Sequence, residues 1–171
     1  MFGAHAFRSL ISITLSGALP TPTVGPPAVQ ALVLSDQAVR LLALQYRSFR
    51  TEFLGCMIGE IRDGVVHVDR IAPADVRPLR STATEVVPET TCEEAGWTGT
   101  VGMIHSHPTG ERCWYYFPGT QVPTSDAQSF GRTPYAVDAI MCGAKVVWIG
   151  RDRVQKDLTL VETGGVRGLE P

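Results

Sequence analysis

The sequence predicts an α/β domain in which a mixed β-sheet is flanked by helices. Three observations carry this expectation. A stripe of apolar residues at helical spacing occupies 39–49. Several short apolar or alternating runs follow it, bounded by Gly, Pro and Asp. A second short helical segment, near 125–132, separates the early runs from the late ones. A chain of 171 residues, 44% hydrophobic and 19% charged, has the composition of an ordinary globular protein and the length for one core rather than two.

The elements follow in chain order. Ile11, Ile13 and Leu15 alternate with Ser12, Thr14 and Ser16, the pattern of a half-buried strand rather than of a signal peptide, and no A-x-A cleavage site follows. Pro20, Pro22, Pro26 and Pro27 make the next stretch an extended connector, so 1–30 is read as a lead-in. Ser35 is suited to cap a helix, with Asp36 where the helix dipole favours an acid. Val39, Leu42, Tyr46 and Phe49 then form its apolar stripe, while Arg40, Arg47 and Arg50 lie off it.

The run 52–61 reads as a strand that turns at Arg62-Asp63-Gly64 into an alternating partner, 65–73, as a tight hairpin. Residues 73–98, rich in Pro, Thr and Glu, read as loop with at most one short strand. The run 100–105 is a short buried strand between Gly99 and Pro108. Ser125 to Arg132 is a helix stopped before Pro134. The runs 137–142 and 145–150 form a hairpin about Gly143-Ala144, and 157–161 is a last strand. The folded domain is therefore expected over 31–162, with a glycine-rich tail over 163–171 in which Gly164-Gly165 serve flexibility.

Bulk properties exclude little but direct the search. A formal net charge of −2 gives no global basic footprint for nucleic acid. No run approaches the ~20 apolar residues of a membrane span. Cys56, Cys92, Cys113 and Cys142 contain no C-x-x-C pair, which argues against a four-thiolate zinc site. Localisation is expected to be cytoplasmic, where all four would be free thiols, although a Cys113–Cys142 pairing stays open. His5 and His67 have no partner pattern and read as ordinary lead-in and surface histidines.

The chemistry concentrates at Ile104-His105-Ser106-His107-Pro108. If the strand runs through His107, both imidazoles leave one face, because strand side chains alternate with period two. Two ligands on one face can share a metal, and catalytic zinc takes three protein ligands and keeps a position open. Pro108 ends the strand and fixes the chain direction. Further on, Pro123-Thr124-Ser125-Asp126 enters a helix, and Asp126 is a natural oxygen ligand there. The plainer alternative makes Ser125-Asp126 a cap with a dipole-matched acid.

The stretch Val101-Gly102-Met103-Ile104-His105-Ser106-His107-Pro108 resembles the core of the JAMM metalloproteases, the catalytic branch of the MPN-domain family. Upstream, Glu52-Phe53-Leu54-Gly55-Cys56-Met57-Ile58-Gly59 matches that family's E-x-x-G-x-x-x-G run. The resemblance spans 35–160 and implies the MPN (cytidine-deaminase-like) fold. It also implies one zinc ion held by His105, His107 and Asp126, with Glu52 as general base. The implied activity is an isopeptidase or peptidase acting after the C-terminus of a ubiquitin-like or sulfur-carrier-like protein. The compact chain resembles prokaryotic stand-alone members, some of which accompany ubiquitin-like conjugation operons, antiviral ones included. The family's S-x-x-D is not kept, since Pro123 stands three before Asp126. Ser125 is therefore assigned the oxyanion role, with Thr124 as the alternative.

The spacer between His107 and Asp126 carries Trp114, Tyr115, Tyr116 and Phe117. Trp114 and Tyr115 are assigned to a groove for an extended peptide, against the alternative of a hydrophobic plug. Two other functions compete: a metal-free MPN scaffold that binds a protein partner, and a DNA-associated relative of the RadC type. The second usually reads H-N-H-P, where this chain has Ser106.

Overall fold

The structure, a computed structural model, describes residues 29–160. The expected strand at 11–15, the proline connector through Pro27 and the Gly164-Gly165 tail lie outside the described residues. The elements are β1 (Ala31–Leu34), α1 (Asp36–Ser48), β2 (Leu54–Arg62), β3 (Val65–Pro73), β4 (Thr100–Ser106), α2 (Ser125–Phe130), β5 (Val137–Cys142), β6 (Lys145–Gly150) and β7 (Gln155–Thr159). They build one seven-stranded sheet in the order β1-β3-β2-β4-β5-β6-β7. The β1/β3 and β4/β5 pairs are parallel and the others antiparallel, so the expected mixed α/β sheet is what forms.

Local signals explain most of the elements. The Ser35 hydroxyl accepts from the Ala38 amide at 3.1 Å and starts α1. Asp63 and Gly64, at φ 51° and 76°, make the tight turn between β2 and β3. The stripe of α1 is one turn shorter than its spacing predicts. The helix ends at Ser48, Phe49 is extended and 50% exposed, and the buried residues are Ala38, Val39 and Leu42. No strand forms in 74–98, which holds a 3₁₀ turn at Pro78–Arg80 and an isolated bridge between Val76 and Pro88. Thr124, not Ser125, caps α2.

Alternation along the strands divides the sheet into two faces. One face packs Met57, Val66, Val68, Ile104, Val137, Ala139 and Met141 against Ala38 and Leu42 of α1. The opposite face is covered in two pieces. Cys56, Ile58 and Met103 lie under the 74–98 loop, and Ile140, Val147 and Ile149 lie under Tyr115 and Phe130. A cleft stays open between the two covers.

Both covers are bolted down covalently. Cys56 on β2 pairs with Cys92 in the loop, and Cys113 in the aromatic spacer pairs with Cys142 at the end of β5. The expectation of four free thiols is thereby corrected, and the open Cys113–Cys142 pairing is resolved. Closing loops with separations of 36 and 29 residues restricts the unfolded chain by on the order of 3 kcal/mol each. Among the described residues no helix is long and apolar enough to cross a membrane.

Candidate metal centre

The parallel β4/β5 pair dictates the site. Parallel neighbours need a crossover of a dozen or more residues, and here the crossover runs from His107 through α2 to Val137. It carries Asp126 back over the end of β4. His105 is the last but one residue of β4, and its buried side chain faces the cleft. The strand stops at Ser106, but the His107 amide still donates to the Met141 carbonyl at 2.9 Å. The two imidazoles therefore stay on one side, with ring centroids 5.1 Å apart.

The three predicted ligands converge. Asp126 Oδ2 lies 3.9 Å from His105 Nε2 and 3.7 Å from His107 Nε2. One ligand atom from each residue falls within 4.8 Å of the other two. Tetrahedral ligation at ~2.1 Å separates ligand atoms by roughly 3.4 Å, so a small inward movement would close the set on zinc. A hydrogen bond of 3.0 Å joins His107 Nδ1 to the Glu111 carbonyl. With Nδ1–H as the donor, the Nε2 lone pair is left facing the centre, as outer partners of zinc histidines do. Burial, the largest cause, lowers the His105 pKa to about 4. The imidazole is thus neutral and able to ligate. The donor set fits zinc.

Glu52 stands beside this set, just before β2. The residue is 7% exposed, and its Oε1 is 3.6 Å from His107 Nε2. Burial, then the charges of Asp126 and Glu85, raise its pKa from 4.5 to about 7. Two backbone ties place it there. The Phe53 amide donates to the Ser106 hydroxyl at 3.0 Å, and the Ser106 amide donates to the Phe53 carbonyl at 3.1 Å. Ser106, wholly enclosed between the histidines, therefore locks Glu52 to the strand that carries them. Tyr46 adds a tie from α1, its hydroxyl donating to the His107 carbonyl at 3.1 Å. Sequence reasoning missed both. Tyr46 looked like one more apolar-stripe residue, and the sole signal for Ser106 was its place between two histidines.

The remaining assignments divide. Ser125 is exposed at the start of α2 and lines the cleft, its hydroxyl 3.4 Å from Asp126 Oδ1. The Thr124 hydroxyl is committed elsewhere, accepting from the Ala127 amide and donating to the Tyr115 carbonyl. Tyr115 as a groove residue is corrected: it is 0% exposed and its ring fills the core under the spacer. Its adjacent aromatic, Trp114, is half-buried and does not line the cleft. The plug alternative describes Tyr115, because the Cys113–Cys142 bridge draws the spacer down onto β5. His67 sits half-buried on β3, away from the cleft.

The cleft encloses about 330 Å³, and Glu52, Glu85, Glu111, Asp126 and Asp138 all line it. Crowded acids of this kind destabilise a metal-free fold as they ionise. Glu52 keeps its proton in the folded state up to about pH 7 but releases it near 4.5 when unfolded. Its contribution to stability is thus complete below 4.5 and lost as pH rises through 7. His105 acts in the opposite sense between about 4 and 6.5, so wild type alone does not isolate the effect. Urea unfolding in chelator at pH 5 and pH 8, compared between wild type and Glu52→Gln, does. Wild type should lose on the order of 2–3 kcal/mol relative to the variant over that interval. Parallel changes in the two proteins would refute the assignment.

A mixed sheet that brings two histidines, an aspartate and a buried glutamate into one cleft defines a domain suited to a divalent metal. Residues 35–114 match the family described as prokaryotic homologs of the JAB domain. The matched stretch contains Glu52, His105 and His107 and ends before Asp126. The chain is also similar to the solution structure of protein DSY2949 from Desulfitobacterium hafniense, at 17% identity and a TM-score of 0.42, over 77% of this chain and 92% of that one. No protein of curated function matches the sequence.

Proposed function

We propose that the chain is a zinc-dependent peptidase or isopeptidase that cleaves the amide after the C-terminus of a ubiquitin-like or sulfur-carrier-like protein. The observation that carries the reading is the placement of Glu52 Oε1 3.6 Å from His107 Nε2, beside a complete set of three ligands. Zinc, when bound by His105, His107 and Asp126, would supply Lewis acidity at the scissile carbonyl. Glu52 takes the proton of the attacking water and delivers it to the leaving amine. The Ser125 hydroxyl, which donates to Asp126 Oδ1 at 3.4 Å, turns from it to the developing oxyanion, a role whose loss costs ~10²-fold in rate.

The substrate class rests on the family resemblance. Incubating the zinc-loaded protein with ubiquitin-like fusions, with and without chelator, tests it. Chelator-sensitive cleavage at the fusion junction is the expected result. Zinc binding without cleavage of any fusion would favour the scaffold reading. DNA binding at low salt would favour the RadC-like one. The two disulfides favour an oxidising compartment over the cytosol expected from the sequence.

A further inference from the structure

One buried acid in the cleft has no part in the chemistry above. Asp138 stands on β5 in register with Met103 of β4, on the sheet face that carries His105. It is 8% exposed. Its Oδ2 accepts from the Tyr115 hydroxyl at 2.8 Å, and Oδ1 has no hydrogen-bond partner among the described residues. No enclosed side-chain nitrogen or oxygen among them lacks a partner. Oδ1 must therefore open onto the cleft, whose lining includes Asp138.

The surroundings indicate what this oxygen would meet. Met103 and Phe130 give the cleft apolar wall, and Ser129 and Thr133 add hydroxyls. The Arg151 guanidinium, the cation acting on Asp138, donates to the carbonyls of Phe130 and Thr133 and lies over the Phe130 ring instead of reaching the carboxylate. Burial raises the Asp138 carboxyl pKa to about 8, and with one neutral donor its ionised form is under-compensated until a cation joins it. An aliphatic stem ending in a cation would complement it, with the stem against Met103 and Phe130 and the charge on Oδ1.

We infer that the cleft beside the metal ligands holds a subsite for a basic side chain of the substrate, with Asp138 as its specificity-determining residue. Its use in catalysis rests on the proposed peptidase activity, but the binding itself does not. The test therefore reads binding alone. The full chain, zinc-loaded and chelated, is titrated with n-butylguanidine and with its neutral isostere n-butylurea, by calorimetry or ligand-observed NMR. The guanidine should bind about tenfold or more tightly than the urea, on the scale of a charge-assisted hydrogen bond. Asp138→Asn should abolish that preference.

Ser129→Arg leaves Asp138 in place and adds a competing cation from an exposed wall position. It should also abolish the preference, and it decides the matter if Asp138→Asn fails to fold. Equal binding of the two probes to wild type would overturn the subsite. So would a preference that survives in folded Asp138→Asn or in Ser129→Arg, and Asp138 would then serve Tyr115 alone. Absence of hydrolysis on every fusion leaves this result unaffected, so the two readings fail separately.

Discussion

Asp126→Ala should lose zinc and hydrolysis together, while Glu52→Gln should keep zinc and lose hydrolysis. The contrast follows from where each carboxylate sits. Asp126 Oδ2 is the atom that both Nε2 atoms approach, at 3.9 and 3.7 Å. Without it two imidazoles remain, and two ligands cannot complete a catalytic zinc site. Loss of an outer-shell partner alone lowers metal affinity about 10–100-fold, so loss of a ligand should exceed about 100-fold. Glutamine at 52 keeps the size of the side chain and its place beside His107, but it cannot accept a proton. A positioned general base contributes roughly 10²–10⁴-fold, and that factor should disappear at near-normal zinc occupancy. Elemental analysis, competition with a chromogenic chelator and fusion cleavage read the two quantities independently. Wild-type zinc affinity in Asp126→Ala would remove that residue from the centre. Undiminished turnover in Glu52→Gln would remove the base.

Gly59→Ala should unfold the protein or destabilise it by about 3–5 kcal/mol, among the largest effects of a single substitution. The pairing of β2 with β3 slips register between Ile58 and Gly59. At that point the strands approach so closely that a Cβ on residue 59 would lie 1.9 Å from the His67 carbonyl oxygen and 2.9 Å from its carbon. Those are backbone atoms of a central strand pair and cannot rotate away. Gly96 provides the control. It holds φ at +87° with nothing within 4 Å of where a Cβ would lie, so alanine there meets only conformational strain, on the order of 1–2 kcal/mol. Urea midpoints of the two variants separate crowding from strain. A Gly59→Ala protein as stable as Gly96→Ala would mean that β2 and β3 do not pack this closely.

The close approach at Gly59 bears on what a sequence motif encodes. Gly55 and Gly59 enter the sequence as spacing marks in E-x-x-G-x-x-x-G, without a stated job. In the fold a Cβ at Gly55 would lie 2.6 Å from Ile71 Cγ2 and 3.3 Å from the Ala72 carbonyl oxygen. Both positions are close approaches of β3 to the strand that begins just after Glu52. The motif thus specifies how tightly the hairpin closes under Glu52 as well as where the acid falls.

Legibility followed the range of the interaction. The Ser35 cap, the Asp63-Gly64 turn and the alternation of β3 are settled within a few residues and were readable directly. The histidine pair was readable because period-two geometry and Pro108 act locally. The disulfide partner of Cys56 was not, because Cys92 reaches it only after the 74–98 loop folds across β2. Tyr115 was misread for the same reason: an aromatic in a loop has no face until the loop has a place to dock.

Taken alone, the amino-acid order determined the helix, the hairpins, the ligand types and the acid that accompanies them, since each depends on short-range geometry or side-chain chemistry. Only the tertiary structure decided that β4 and β5 run parallel. The crossover this requires returns Asp126 to the histidines, closes Tyr115 beneath the spacer and leaves the free oxygen of Asp138 facing the cleft. Contacts between segments distant in the chain are set by how the whole sheet packs, and no local pattern of residues carries that information.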